Sequence, residues 1–399
     1  MEETTFLKFL KYCLSGGDIP QCVSKINWHD LLEFAQKQAI IGVFAYKILC
    51  DNKDLLENKY FMANKPTDDD VLEWMGAFTK IQRRNREINT YCIKVVNNFK
   101  KEGFYTCILK GQGNNLMYPD PFMRTSGDID VWAIPTSERK RKFIQNGNSL
   151  QRLTLSDRMI IFSYVRNLFS EAKFKCQHIE FPVWRHIPVE VHFYPMYLVN
   201  PFSNYKLRKF YEEQKDMQFA NKRKLPEIDE EICIPTPFFN AIYQLTHINI
   251  HLLIEGIGLR QLIDYYYVLM NIPKERHDEI KSLLEGMHLE KLAAAIMWIQ
   301  KNIFGLPEEF LYIEPDEKRG KRLLKEVGRG GNFGKYDPTK PENEGFWHLQ
   351  FRKMIQHADF IMDYPSEELH EPIFRICHFV WRQWYYLKWR LLFKSTVNL

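Results

Sequence analysis

Two aspartates, Asp128 and Asp130, sit one residue apart in the apolar run Gly-Asp-Ile-Asp-Val-Trp-Ala. Alternation along a strand puts both carboxylates on one face, roughly 6.5–7 Å apart at the backbone. Two bare anions so placed repel each other. The pair is costly unless a cation sits between them, and Mg²⁺ is the usual answer among hard, oxygen-seeking ions. A third acid, Glu190, lies in the strand-like Pro-Val-Glu-Val-His-Phe, with His192 on the same face. Upstream, Lys110-Gly111 ends another apolar run and opens a short helix, which is a phosphate-cradle arrangement. Three acids on neighbouring strands beside a glycine turn make the kind of site that moves a nucleotidyl group. One ion would position a triphosphate and another would activate an acceptor hydroxyl.

Each residue also has a plainer reading. Asp128 and Asp130 can cap a turn and pair with a surface lysine. Lys110 can be a solvated strand end rather than a point charge on phosphate oxygens. Arg124 can hold the γ-phosphate or fix its loop through a salt bridge. Ser126 precedes the aspartate strand, and Gly127 lets the backbone turn into it. His192 can contact phosphate, support Glu190 or be structural. The Glu-x-His spacing also permits a metal site with His178 or His186, where nitrogen donors favour Mn²⁺ or Zn²⁺.

The motifs Leu109-Lys110-Gly111, Leu116-Met117-Tyr118-Pro119, Arg124, Gly127-Asp128-Ile129-Asp130-Val131 and Val189-Glu190-Val191-His192 together resemble a known family. It is the uncharacterised nucleotidyltransferase family common in bacteria, a branch of the polymerase-beta-like superfamily. The specific part of the likeness covers Phe104 to Tyr194. A looser similarity reaches Trp28–Ala35 and Gly258–Asp264. The resemblance implies a metal-dependent transfer of NMP from an NTP to an acceptor hydroxyl, with Mg²⁺, or Mn²⁺, on Asp128, Asp130 and Glu190. It implies cofactor contacts from Lys110, Gly111, Arg124, Ser126, Gly127 and His192. The acceptor class stays open among protein, RNA and small molecules. One departure stands out: the superfamily turn carries Ser or Gly after its glycine, and Gln112 stands there. That substitution keeps alive an alternative, a catalytically inactive nucleotide- or partner-binding protein on the same fold.

The elements that must position these residues are legible in outline. The expected fold class is α+β, a small mixed-sheet core flanked by N-terminal and C-terminal helical regions. The expected segments are 1–101 helical, 102–235 the nucleotidyltransferase core and 236–399 a C-terminal helical domain. Trp28 to Leu49 has helical apolar spacing with Asn27 as N-cap, and Asp70 caps a helix running to Lys101. Phe104–Leu109, Asp128–Ala133, Phe174–Phe181 and Ile187–Phe193 read as strands. Helices are expected over Gln112–Met117, from Thr136 or Ser137, and over Leu155–Ala172, Phe238–Leu253, Leu259–Met270, Leu289–Phe304 and Glu371–Phe393. Gly328–Pro341 reads as a mobile loop. The last helix interleaves Arg382, Lys388, Arg390 and Lys394 with aromatics, which suits a packed helix with a basic outer face or, alternatively, nucleic-acid stacking. His247, His251, Arg260 and Asp264 are polar positions in an apolar helical pattern. They can close over the active site, or Arg260 can simply pair with Asp264 four residues on.

Composition narrows the classes. With 45% hydrophobic and 15% aromatic residues the chain is not disordered, and a net charge of +5 over 399 residues is too slight for a dedicated nucleic-acid binder. The eight cysteines form no Cys-x-x-Cys pair, which argues for reduced core thiols rather than zinc. The acidic, interrupted N-terminus is no signal peptide, and no apolar run is long enough to span a bilayer. A cytoplasmic protein without membrane contact is expected.

Overall fold

The computed structural model describes residues 2–146, 156–184, 186–336 and 363–393. The fold is α+β, a small mixed sheet with helical regions before and after it in sequence. The chain divides into two compact units, each built from three segments: Met1–Glu87, Asn114–Ser126 and Pro237–Pro365 form the first, and Ile88–Gly113, Gly127–Thr236 and Ser366–Leu399 the second.

The first unit is helical. Asn27 caps the Trp28–Gln38 helix by accepting the backbone N–H groups of His29 and Asp30. The helix expected to reach Leu49 breaks at Ala39, which takes a left-handed conformation with φ 57°. The Ile40 N–H returns to the Ala35 carbonyl at 2.8 Å and the Ala39 N–H to Gln36 at 3.1 Å, closing the turn. A second helix, Ile41–Leu49, then leaves in a new direction. The break brings the Gly42 backbone onto Met123, where a Cβ would lie 1.7 Å from the carbonyl oxygen. The long helix starts at Asp68, ahead of the expected position, because Thr67 is its cap. The Thr67 hydroxyl accepts the Asp70 N–H at 3.2 Å, and the Asp70 carboxylate accepts the Thr67 N–H at 2.9 Å. Pro237–Ile254 and Leu259–Met270 form as expected. The expected loop from Gly328 does not begin there: the Glu317–Gly330 helix takes its first three residues and a short 3₁₀ turn covers Asn332–Gly334. Residues 337–341 of that stretch lie outside the described residues.

The second unit holds the sheet: β1 (Phe104–Ile108), β2 (Ile129–Pro135), β3 (His178–Trp184) and β4 (Ile187–His192), in the order β1-β2-β4-β3. β1 and β2 are antiparallel, β3 and β4 are antiparallel, and β2 and β4 are parallel. A parallel pair needs a crossover, supplied by the Ser137–Asn146 and Asp157–Leu168 helices and β3. Ile129, Val131, Ala133, Ile179, Val189 and Val191 are all buried on one face of the sheet. Alternation therefore gathers Asp130, Trp132, His178, Glu190 and His192 on the other.

The C-terminal helix, Glu371–Phe393, packs Trp381 and Tyr385 against Phe174, with ring centroids 5.2 and 4.6 Å away. Among the described residues its outer face is largely apolar where a basic one is expected: Ile373, Ile376, Phe379, Val380, Trp384 and Leu387 are exposed, Arg382 and Lys388 are half-buried, and Arg375 turns back to Glu371. The side chain of Arg390, and Lys394 altogether, lie outside the described residues. No helix among the described residues is long and apolar enough to cross a membrane. All eight cysteines are free thiols; Cys92 and Cys107 are buried, and Cys50 and Cys377 are exposed.

The Gly42–Met123 contact is a sharp packing test. Gly42→Ala should destabilise the fold by about 3 kcal/mol or more, since backbone must move to admit one methyl group, read as a fall in the denaturation midpoint. An unchanged midpoint would show that Ile41–Leu49 does not sit on Met123.

Candidate active site

The parallel register of β2 and β4 pairs Asp130 directly with Glu190 and Trp132 with His192. Asp128 lies just before β2 and is half-exposed. One carboxylate oxygen from each of Asp128, Asp130 and Glu190 lies within 4.8 Å of the other two. Two neighbouring aspartates and a glutamate from a distant strand are thus brought to one point.

Charge compensation is supplied locally. The Leu109 N–H donates to the Asp130 carbonyl at 3.0 Å, which sets the chain so that Lys110 follows onto the acids. Lys110 Nζ stands 3.3 Å from Asp130 Oδ2 and 4.0 Å from Asp128 Oδ2. His192 Nε2 lies 3.0 Å from Asp130 Oδ1 and its Nδ1 3.2 Å from the Pro195 carbonyl, and with an acceptor facing each nitrogen the surroundings favour the imidazolium. Burial disfavours the Asp130 carboxylate, but Lys110 and then His192 outweigh it and hold its pKa below the ordinary value. Burial likewise opposes charge on Lys110, and Asp130, Asp128 and Glu190 reverse the balance upward. His192, pushed down by burial, is lifted by Asp130 and Glu190 to about 9. Its neighbour His178 goes the other way: burial dominates and takes it down to about 3. Burial pulls Glu190 up, and the His192 hydrogen bond with the charges of His192 and Lys110 outweighs it and holds the carboxyl low.

The residues fit a divalent cation. Asp130 Oδ2 is buried and, although Lys110 is within ion-pair distance, it receives no aligned hydrogen bond. A hard cation bound by oxygens answers that deficit.

Gly111 needs its glycine identity, with φ 61° at the turn after Lys110. Gly113 is a packing glycine: a Cβ there would meet Ile234 at 3.2 Å. Gln112 is buried and donates its amide to Asn89, so it faces the interior of the second unit. Gly127 has open space around its Cα.

Arg124 and Ser126 belong to the first unit. Arg124 makes a two-pronged salt bridge to Asp264, from Nε at 2.6 Å and Nη2 at 2.7 Å, and Tyr118 donates to the same carboxylate at 2.6 Å. Asp264, buried, stays ionised with a lowered pKa because Arg124 outweighs its desolvation. Ser126 bonds to Arg124 and Asn115, and the Asn85 amide donates to the Phe122 and Arg124 carbonyls at 2.8 Å each. Arg260 donates to the Thr125 carbonyl at 2.9 Å, so Arg260 and Asp264 both hold the Tyr118–Ser126 segment, and the Arg260 charge also helps keep Asp264 ionised. His247 is buried beside His251, which pairs with Glu255 at 3.1 Å. Asn85, Asn89 and Asn115 were not singled out in the sequence. The only signal was amides recurring inside otherwise amphipathic stretches.

The model of the uncharacterised nucleotidyltransferase family matches residues 24–305, well over half of the chain. The chain belongs to that family of nucleotidyltransferases. No curated protein and no solved structure matches it significantly.

The two aspartates are expected to differ in stability as well as function. Asp130→Asn leaves Lys110 and His192 buried with half their compensation and should cost about 3 kcal/mol. Asp128→Asn, at a half-exposed site that relieves repulsion, should stay within about 0.5 kcal/mol of the parent. Equal losses in urea melts would contradict the asymmetry.

The histidines predict the pH dependence. His192 binds its proton more tightly in the fold than the ordinary value of 6.5, so its stabilisation is complete below about 6.5 and vanishes as pH rises through about 9. His178 stays neutral in the fold, so stability falls as pH drops from 6.5 toward 3. His192→Gln should flatten the decline between pH 6.5 and 9 while leaving the acid limb in place, as measured by denaturation midpoints across that range.

Proposed function

We propose that the protein is a metal-dependent nucleotidyltransferase that moves an NMP group from an NTP to a hydroxyl acceptor. The observation that supports this most directly is the convergence of the Asp128, Asp130 and Glu190 carboxylates at the β2–β4 register, in a chain of nucleotidyltransferase family. In the reaction the acceptor hydroxyl attacks the α-phosphate and pyrophosphate leaves. The three carboxylates would hold Mg²⁺, or Mn²⁺, which when bound neutralises phosphate charge and acidifies the attacking hydroxyl.

The chain's own residues divide the remaining work. Lys110, at the edge of the acids and within ion-pair distance of Asp128 and Asp130, would supply a point charge to the triphosphate. The Gly111 turn and the Gly127 backbone leave room for phosphate to approach. Asp130 is fully buried, which leaves Asp128 and Glu190 as the acids that a hydroxyl can reach, and of these we assign the proton to Glu190. His192 anchors Asp130 from behind. We assign Arg124 and Ser126 to holding the segment that leads by chain into Gly127, because their polar atoms meet Asp264 and Asn115. Rate enhancement comes from positioning and charge neutralisation.

The test is incubation with each α-labelled NTP and Mg²⁺, scored by pyrophosphate release and by label on the protein, added RNA or small hydroxyl compounds. Asp128→Asn should lower turnover by about 10²-fold or more while the fold persists, and Lys110→Ala should weaken NTP binding. NTP binding with no pyrophosphate released under any acceptor condition would establish a binding protein instead.

A further inference from the structure

Beyond the three-acid site, the same sheet face carries a second cluster that the transfer reaction does not call for. His178 on β3 is the direct register partner of His192 on β4, and their rings lie 5.2 Å apart. Glu190 Oε2 sits between them, 3.3 Å from His178 Nδ1 and 3.6 Å from His192 Nε2. One donor atom from each of the three lies within 4.8 Å of the others. Two donors each about 2.1 Å from one ion cannot be more than about 4.2 Å apart, so small side-chain shifts bring the set to ligand spacing.

Two independent features mark this as a site rather than a crowd. His178 is only 4% exposed, yet neither ring nitrogen has an aligned hydrogen-bond partner. A buried imidazole in that state calls for a ligand. His192, by contrast, is oriented: its Nδ1–H donates to the Pro195 carbonyl, which turns Nε2 toward the carboxylates. That is how proteins fix the tautomer of a metal-binding histidine.

We infer that His178, Glu190 and His192 form a divalent transition-metal site of mixed nitrogen and oxygen donors, distinct in ligand chemistry from the all-carboxylate site and joined to it through Glu190. Two imidazoles and one carboxylate select Mn²⁺ or Zn²⁺ over Mg²⁺, which prefers oxygen ligands. The two metal positions on this face are therefore not equivalent. The inference shares Glu190 with the proposed transfer site, but its test uses metal alone and needs neither nucleotide nor turnover.

The experiment is pulsed electron paramagnetic resonance of the full-length protein loaded with Mn²⁺. The parent should show ¹⁴N coupling from imidazole, which Zn²⁺ abolishes by displacement and millimolar Mg²⁺ leaves in place. His178→Gln should weaken Mn²⁺ binding at this site at least about tenfold, in line with the loss of a ligand or its support, and should reduce the ¹⁴N signal. Asp128→Asn should retain that signal even where it abolishes Mg²⁺-dependent nucleotide binding. Bound Mn²⁺ with no ¹⁴N coupling in the parent overturns the inference, whatever the fate of His178→Gln. So does a ¹⁴N signal and an affinity that His178→Gln leaves unchanged in a folded protein. A failure of Asp128→Asn to affect nucleotide binding would count against the transfer site and leave this one standing.

Discussion

The repulsion between Asp130 and Glu190 is the constraint on which the sheet face depends. The parallel register forces the two acids abreast, and neither strand can slip by one residue without turning its valines to the wrong face. The apolar face thus holds the anions together against their own charge. What makes that tolerable is a set of cations placed with equal rigidity, Lys110 at the end of β1 and His192 two residues beyond Glu190. The energetic logic runs from side-chain alternation to register, and from register to a concentrated negative field that only cations satisfy.

A second buried pair, Arg124 with Asp264, does comparable work in the helical unit. It is geometrically complete, with a two-pronged bridge and the Tyr118 hydroxyl on the same carboxylate. Asn85 and Arg260 hold the backbone of the same segment. A stretch with two prolines and almost no regular structure is thereby made rigid by polar contacts rather than by a ladder of its own. Loops that must keep a defined shape without secondary structure commonly depend on such satisfied networks.

Much of this was legible in the residues because it is local. Alternation around Val131 and Val191 gives strands, Asn27 gives a helix start, and the Asp-x-Asp spacing gives a shared face. The pairings that decide chemistry are not local. Nothing near Asp130 announces that Glu190, rather than Glu180, stands beside it in the same register from β2, since that follows from a crossover. Arg260 and Asp264 are four apart on a helix, which favours a mutual pair, yet Asp264 meets an arginine 140 positions away. The break at Ala39 is hidden because an alanine in the left-handed region leaves no mark on apolar periodicity, and the approach of Gly42 to Met123 that accompanies it is a contact between distant segments. Thr67 is hard to see as a cap because the three aspartates that follow it are the more obvious candidates.

The interleaving of the two units has a consequence for how the chain acquires its shape. The helical unit draws on Met1–Glu87 but also on Pro237–Pro365, and the sheet unit closes only with Ser366–Leu399. Neither can be excised as a continuous stretch of gene, and neither can finish before most of the last third of the polypeptide has been made. Contacts of such sequence separation lengthen the search for the native state. During synthesis, exposed apolar strands and half-built helical layers must wait, a period in which chaperone protection matters more than final stability.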